Sequence, residues 1–267
     1  MIEAFTVLAE DEDLPRWDVP EALAALYCGA IGFDEPCVVA NFVESLDGVV
    51  AVPGLPRSHA VIGDESEADR FVLALVRACA DAVVVGSGTL RASPQGTWRI
   101  DRAYPPAAEA LAELRARRGR PEQPLVVVVT TGASLDPAHP VLESGALVLT
   151  TEAAAHGLRV ALPDAVEVVA VNDGEAVDLA RALELLRDRG CPVVLTEAGP
   201  STFGSLVASQ LVDELFLTVS PVLAGRSEGA RLGLVESVEL LPQTRVAGRL
   251  RSVRTHGSHL FLRYGLR

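Results

Sequence analysis

The chain has 267 residues, 49% of them hydrophobic but only 4% aromatic, and a formal net charge of −13. That length suits one large α/β domain or two small ones, and that charge argues against non-specific binding to nucleic acid or to anionic lipid. All 23 Lys/Arg positions are arginine, which excludes a P-loop lysine, a Schiff-base lysine and a lysine general base, so any side-chain grip on an anion falls to arginine.

Residues 1–36 are acidic and proline-bearing, with a short helix over Ala22–Tyr27 after Pro20. They read as an extension packed on a single main domain of residues 37–267. Cys37–Val43 is a buried strand, Leu46-Asp47-Gly48 turns the chain, and Val49–Val52 returns as a second strand. Pro53–His59 reads as a loop. Asp64–Ala80 reads as a helix capped by Asp64, with Phe71, Leu75 and Ala78 on one face. Ala82–Val85 is a buried parallel strand, Ala107–Arg118 a charged helix, and Leu125–Val129 another buried strand. Ala146–Leu149 and Val166–Val171 are short strands, and Ala176–Arg189 is a helix ended by Gly190. Pro192–Thr196 feeds the helix Ser201–Ser209. Leu215–Ser220, Val235–Leu241 and Leu260–Tyr264 are strands with little helix between them. The pattern predicts a mixed, mostly parallel sheet with antiparallel C-terminal strands.

Two turns stand out. Val83-Val84-Val85-Gly86-Ser87-Gly88-Thr89 and Val194-Leu195-Thr196-Glu197-Ala198-Gly199-Pro200-Ser201-Thr202 each run from an apolar strand through a glycine into a helix. Such turns present unpaired amides and a helix dipole to an anion, and two of them suit a dinucleotide. Arg91 stands where the Rossmann fingerprint needs its third glycine. Glu197 at a strand end reads either as a helix-dipole contact or as a ligand acceptor at the carboxyl edge of the sheet. Arg77 reads either as a dipole partner or as a phosphate ligand. His139 and His156 read as loop residues, and His256 and His259 as a hairpin pair. The four cysteines have no CxxC spacing, and no metal site is expected. The N-terminus lacks a signal pattern and no apolar run reaches membrane-spanning length, so a cytoplasmic protein is expected.

Six motifs in order carry a resemblance: Ser45-Leu46-Asp47-Gly48; Leu75-Val76-Arg77-Ala78; Ala80–Thr89; Thr196–Thr202; Leu211–Leu215; and Ser220-Pro221-Val222-Leu223-Ala224-Gly225. Together they resemble the reductase domain of the bifunctional riboflavin-biosynthesis deaminase–reductase, within the dihydrofolate-reductase-like superfamily. The likeness runs from about Cys37 to the C-terminus. It implies a three-layer α/β fold, NADPH as cofactor, a small-molecule substrate and a homodimer. The implied reaction reduces the ribosyl group of 5-amino-6-(5-phosphoribosylamino)uracil to ribityl. The resemblance assigns Val43, Gly86, Ser87, Gly88, Thr89, Thr131, Gly199, Pro200, Ser201 and Thr202 to the cofactor, with Thr130 an equal candidate to Thr131. It assigns Ser58, Arg77, Arg99 and Glu197 to the substrate, and names no catalytic acid.

The sequence departs from that pattern in places. Ser93-Pro94 stands where the family carries Asp-Asp-Pro, and Glu44 where it carries a small or apolar residue. No deaminase motif of the His-x-Glu with Pro-Cys-x-x-Cys type is present. The rival expectations are an NADPH-dependent reductase of another small molecule (pterin-like, carbonyl or imine) and a non-catalytic NADPH-binding protein.

Overall fold

The computed structural model describes residues 2–132, 135–225 and 230–267. Among the described residues, ten strands form one sheet: β1 (Thr6–Glu10), β2 (Cys37–Glu44), β3 (Ala82–Gly86), β4 (Leu125–Val129), β5 (Leu147–Thr151), β6 (Glu167–Asn172), β7 (Val193–Thr196), β8 (Glu214–Val219), β9 (Arg249–His256) and β10 (His259–Gly265). Their order is β1-β9-β10-β8-β2-β7-β3-β4-β5-β6. The run from β8 to β6 is parallel, and β10, β9 and β1 add antiparallel.

Alternation along the strands makes three layers. Val83 and Val85 of β3 share a core with Phe71 and Leu75 of the helix Glu67–Cys79. Ala82 and Val84 point the other way, into a core with Leu186 of the helix Leu179–Asp188 and Leu206 of the helix Pro200–Ala208. β7 lies between β2 and β3, so the carboxyl ends of three central strands open side by side.

Residues 1–36 add β1 to the antiparallel edge and the helix Glu21–Tyr27. Arg254 of β9 is 1% exposed; it donates to Tyr27 O at 3.0 Å and Ser252 Oγ at 2.8 Å, and it pairs with Glu10. Arg263 of β10 pairs with Glu214 and donates to Gly32 O at 2.7 Å. Phe5 packs edge-on to Phe261, with ring centroids 4.8 Å apart.

Several expected elements differ. The helix expected over Asp64–Ala80 begins at Glu67, because Ser66 accepts from the Asp69 amide at 3.2 Å while Asp64 and Glu65 are left-handed. The expected loop Pro53–His59 ends earlier, since Ser58–Ile62 is a short helix. Val49–Val52 makes only an isolated bridge, Ala51 to Leu232. Val235–Leu241 is not a strand: both edges of β8 are already paired, and this segment covers the helix Pro200–Ala208 instead. Glu236 N–H donates to Pro200 O at 3.3 Å, and a β-carbon on Gly204 would meet Glu236 O. His139 lies in a bend, as expected for a loop residue, and caps the helix Pro140–Glu143, whereas His156 lies on the helix Glu152–Ala161 and not in a loop. Among the described residues, no helix is long and apolar enough to cross a membrane.

Candidate active site

The two glycine turns meet at the carboxyl edge of the sheet. β3 and β7 are neighbours, with Val84 opposite Thr196, and the Glu197 amide donates to Val84 O at 2.9 Å. A β-carbon on Gly86 would lie 3.6 Å from Thr202 Oγ1, and one on Gly199 3.8 Å from Thr89 Oγ1. Each turn thus places a threonine against the other's glycine.

These glycines are not demanded by the backbone. Gly86 has φ −90° and Gly199 φ −63°, values open to any residue. No protein atom would lie closer than 3.6 Å to a β-carbon at either position, and at Gly88 the nearest is Arg91 Nη2 at 3.9 Å. The space kept free is a cradle that side chains would fill, which fits close backbone approach to a ligand such as a dinucleotide. Pro200 opens the second helix at no cost in hydrogen bonds. The Ser201 hydroxyl is engaged by Ser237 Oγ at 2.9 Å.

Glu197 follows β7 and meets Arg77, which lies in the last turn of the helix Glu67–Cys79. Arg77 Nε and Nη2 donate to Glu197 Oε1 and Oε2, both at 2.6 Å, and each side chain is 11% exposed. The two sequence candidates therefore form one unit, which accounts for a carboxylate at a strand end. Ser58 is buried, and its Oγ accepts from the Val52 amide at 3.3 Å. Arg99 stands apart: it is 43% exposed and pairs with Asp101 at 3.0 Å and Glu122 at 3.6 Å. None of these contacts reaches Arg77, Glu197 or a glycine turn.

Thr130 is buried with its hydroxyl unpartnered, whereas Thr131 is exposed, two residues past Val129, the β4 partner of Gly86. Val43 is buried opposite Thr218 in the β2–β8 register. Asp47 accepts from Ser45 Oγ at 2.6 Å, the Ala224 amide at 3.0 Å and the Gly225 amide at 2.8 Å. Those bonds, led by Ser45, hold its carboxyl down at about 2. The Ser45–Gly48 motif thus ties down the Val222–Gly225 loop. Glu44 has its pKa raised by burial.

Sequence reading missed two residues here. His59 sits exposed on the helix Ser58–Ile62, near Arg57, Arg77 and Glu197. Asp69 lies beside Gly63 and Thr218. Its signal was the spacing Asp69–Leu73–Arg77, a half-buried stripe on a buried helix, hidden because a first-turn acid reads as a dipole partner.

A model of the RibD C-terminal domain family matches residues 36–261. The 2,5-diamino-6-ribosylamino-4(3H)-pyrimidinone 5′-phosphate reductase of Archaeoglobus fulgidus is 31% identical over 193 residues, covering 71% of this chain and 82% of its own. A pyrimidine reductase-like protein from Corynebacterium diphtheriae superposes with TM-score 0.68 at 22% identity, over 87% of this chain and 92% of its own. The bifunctional deaminase/reductase from Thermotoga maritima superposes with TM-score 0.63 at 21% identity, over 87% of this chain and 57% of its own. The two structural likenesses show the shared three-layer fold.

Proposed function

The chain belongs to the RibD C-terminal domain family, and on that premise we propose that it is an NADPH-dependent reductase of a phosphoribosylamino-pyrimidine, of the riboflavin-biosynthesis type. The reaction converts a ribosyl group to ribityl. The substrate is 5-amino-6-(5-phosphoribosylamino)uracil or the 2,5-diamino-pyrimidinone for which the Archaeoglobus relative is named. One observation carries the reading: two touching glycine turns, open where side chains would fit, lie at the same sheet edge as the Arg77–Glu197 pair.

Reduced nicotinamide supplies a hydride when bound; the protein's own groups bind and orient. Main-chain amides of Gly86–Thr89 and of Gly199, Ser201 and Thr202 face the cofactor, with Pro200, Thr131 or Thr130 and Val43 beside it. Arg77 spends Nε and Nη2 on Glu197, which leaves Nη1 for a substrate oxygen. Glu197 accepts from substrate polar groups through its remaining lone pairs. Ser58 lines the same side, and Arg99 takes the substrate phosphate in exchange for its exposed acidic partners.

Residues 1–36 act as an extension of one reductase domain, 37–267. A homodimer through the β8–β10 face is supported by Leu250 and Leu260, apolar side chains exposed on β9 and β10. A second reading, reduction of another small molecule, draws on Ser93 in place of an acid.

The test is NADPH oxidation, followed by absorbance, with each pyrimidine and separately with dihydrofolate. Turnover with either pyrimidine is expected. Turnover with dihydrofolate alone would move the protein to the second reading, and binding without oxidation would make it a non-catalytic NADPH-binding protein. Arg99→Ala is expected to raise KM for the pyrimidine far more than Kd for NADPH; an equal loss would remove Arg99 from the phosphate site.

A further inference from the structure

We propose that Asp69 supplies the proton that balances hydride addition, a role that rests on the reductase reading above. Asp69 is in the first turn of the helix Glu67–Cys79. Most of that helix is buried, but Ser66, Asp69, Leu73 and Arg77 form a half-buried stripe at helical spacing. The stripe leads from Asp69 to Arg77, and so to Glu197.

The other flank of Asp69 meets the residue assigned to the cofactor. A β-carbon on Gly63 would lie 3.7 Å from Asp69 Oδ2 and 3.4 Å from Val43 Cγ2, so both side chains converge on one glycine. Thr218, opposite Val43 across β2 and β8, lies beside the carboxyl and draws its pKa down. Asp69 therefore stands between the cofactor side and the substrate side, at the ligand edge of the sheet.

Few charges face it. His259 approaches from β10, held by Gly63 O at 3.1 Å, and Glu197 approaches from the turn after β7. Arg77 and His59 lie beyond Glu197. Glu197 has a guanidinium against both oxygens, whereas Asp69 has no ion pair among the described residues. Burial, helped by Glu197, raises its pKa to about 6 against the pull of Thr218 and His259. Two carboxyl groups close enough to feel each other thus sit in unlike surroundings, the arrangement that separates an acid from an acceptor.

The step balances. Carbon C1′ of the ring-opened imine gains the hydride of the reduced nicotinamide, which is oxidised. The π pair of the C=N bond moves to nitrogen, and nitrogen takes the proton from the Asp69 carboxyl. The carboxylate that remains recovers a proton from solvent through the small part of the side chain that water reaches.

Asp69→Asn is expected to lower kcat about 100-fold while Kd for NADPH stays within about twofold. The acid must be protonated to act, so wild-type kcat/KM falls as pH rises through about 6; the variant loses that limb. Asp69→Glu keeps a titrating acid and is expected to retain the limb at reduced kcat. A second readout needs no substrate. A carboxyl that holds its proton to a higher pH when folded makes wild type lose stability as pH rises from the ordinary 3.8 to about 6. Thermal midpoints of the cofactor-free protein from pH 4 to 8 should show this fall, and Asp69→Asn should lack it.

Asn variants with near-wild-type kcat and an intact limb overturn the role, as do parallel thermal profiles or a limb missing from Asp69→Glu. Failure of wild type to oxidise NADPH with either pyrimidine overturns the reductase reading and this role together. Wild-type turnover with an unchanged Asp69→Asn profile overturns the Asp69 role alone.

Discussion

Arg77 and Glu197, 120 residues apart in sequence, meet in a two-pronged ion pair with both contacts at 2.6 Å. It joins the end of a helix on one face of the sheet to the turn that leaves β7. The pair is mostly shielded from water, so each partner makes the other tolerable.

Breaking this pair from either side should be costly. Glu197→Ala and Arg77→Ala are each expected to lower stability by about 3 kcal/mol, and the double variant by clearly less than the sum. Urea unfolding of the four proteins closes the cycle. Additivity within about 0.5 kcal/mol would mean the two side chains are not coupled.

The glycine turns should separate ligand binding from folding. Gly86→Ala and Gly199→Val put side chains into the free cradle without backbone strain. Each should fold with a thermal midpoint close to wild type, while NADPH binding weakens by about tenfold or more, equivalent to roughly 1.4 kcal/mol. Fluorescence titration reads the affinity. Unchanged binding in both variants would show that nothing approaches these turns.

Asp47 should give a pH-dependent contribution of opposite sign to that of Asp69. Its carboxyl is held down to about 2 in the folded protein, against an ordinary 3.8. Its stabilising effect is therefore present above about pH 4 and lost as pH falls toward 2. Asp47→Asn should be less stable than wild type at pH 7, with the gap closing under acid. At pH 7 the Ala224 and Gly225 amides should exchange faster in the variant by NMR.

The N-terminal clasp should be structural. Glu10→Ala leaves Arg254 buried with a lost partner and is expected to cost about 3 kcal/mol. Arg254→Met should cost less, because it removes the buried charge together with its need for a partner. A protein lacking residues 1–36 should fail to give a cooperative urea transition, since Glu10, Tyr27 O and Gly32 O all leave.

The parallel half of the sheet was legible because its strands are continuous apolar runs ending at glycine or polar turns, as at Val83–Gly86 and Val194–Gly199. β9 was not legible. Its inward positions carry Ser252 and Arg254 while Val253 takes the other face and Leu250 is exposed, so the alternation that marks a half-buried strand is inverted. β1 escaped for a related reason: most of it is exposed, with Val7 and Leu8 facing outward. Val235–Leu241 misled in the opposite direction, having a strand's composition but no free side of β8 to pair with, so it covers the helix Pro200–Ala208 instead. At the site, both glycine turns and Arg77 with Glu197 could be named from sequence. Their mutual contacts could not, because they depend on β7 entering between β2 and β3. Asp69 was hidden by its place in a first helical turn.

That insertion has a consequence for biosynthesis. Gly86 leaves the ribosome more than a hundred residues ahead of Gly199, yet neither turn is complete without the other. An emerging N-terminal half can raise β2 to β6 but leaves a one-strand gap in its middle, so dinucleotide present in the cell cannot help it fold. Assembly waits for one late, sequence-distant strand to slot into place, a route that non-local contacts make slow.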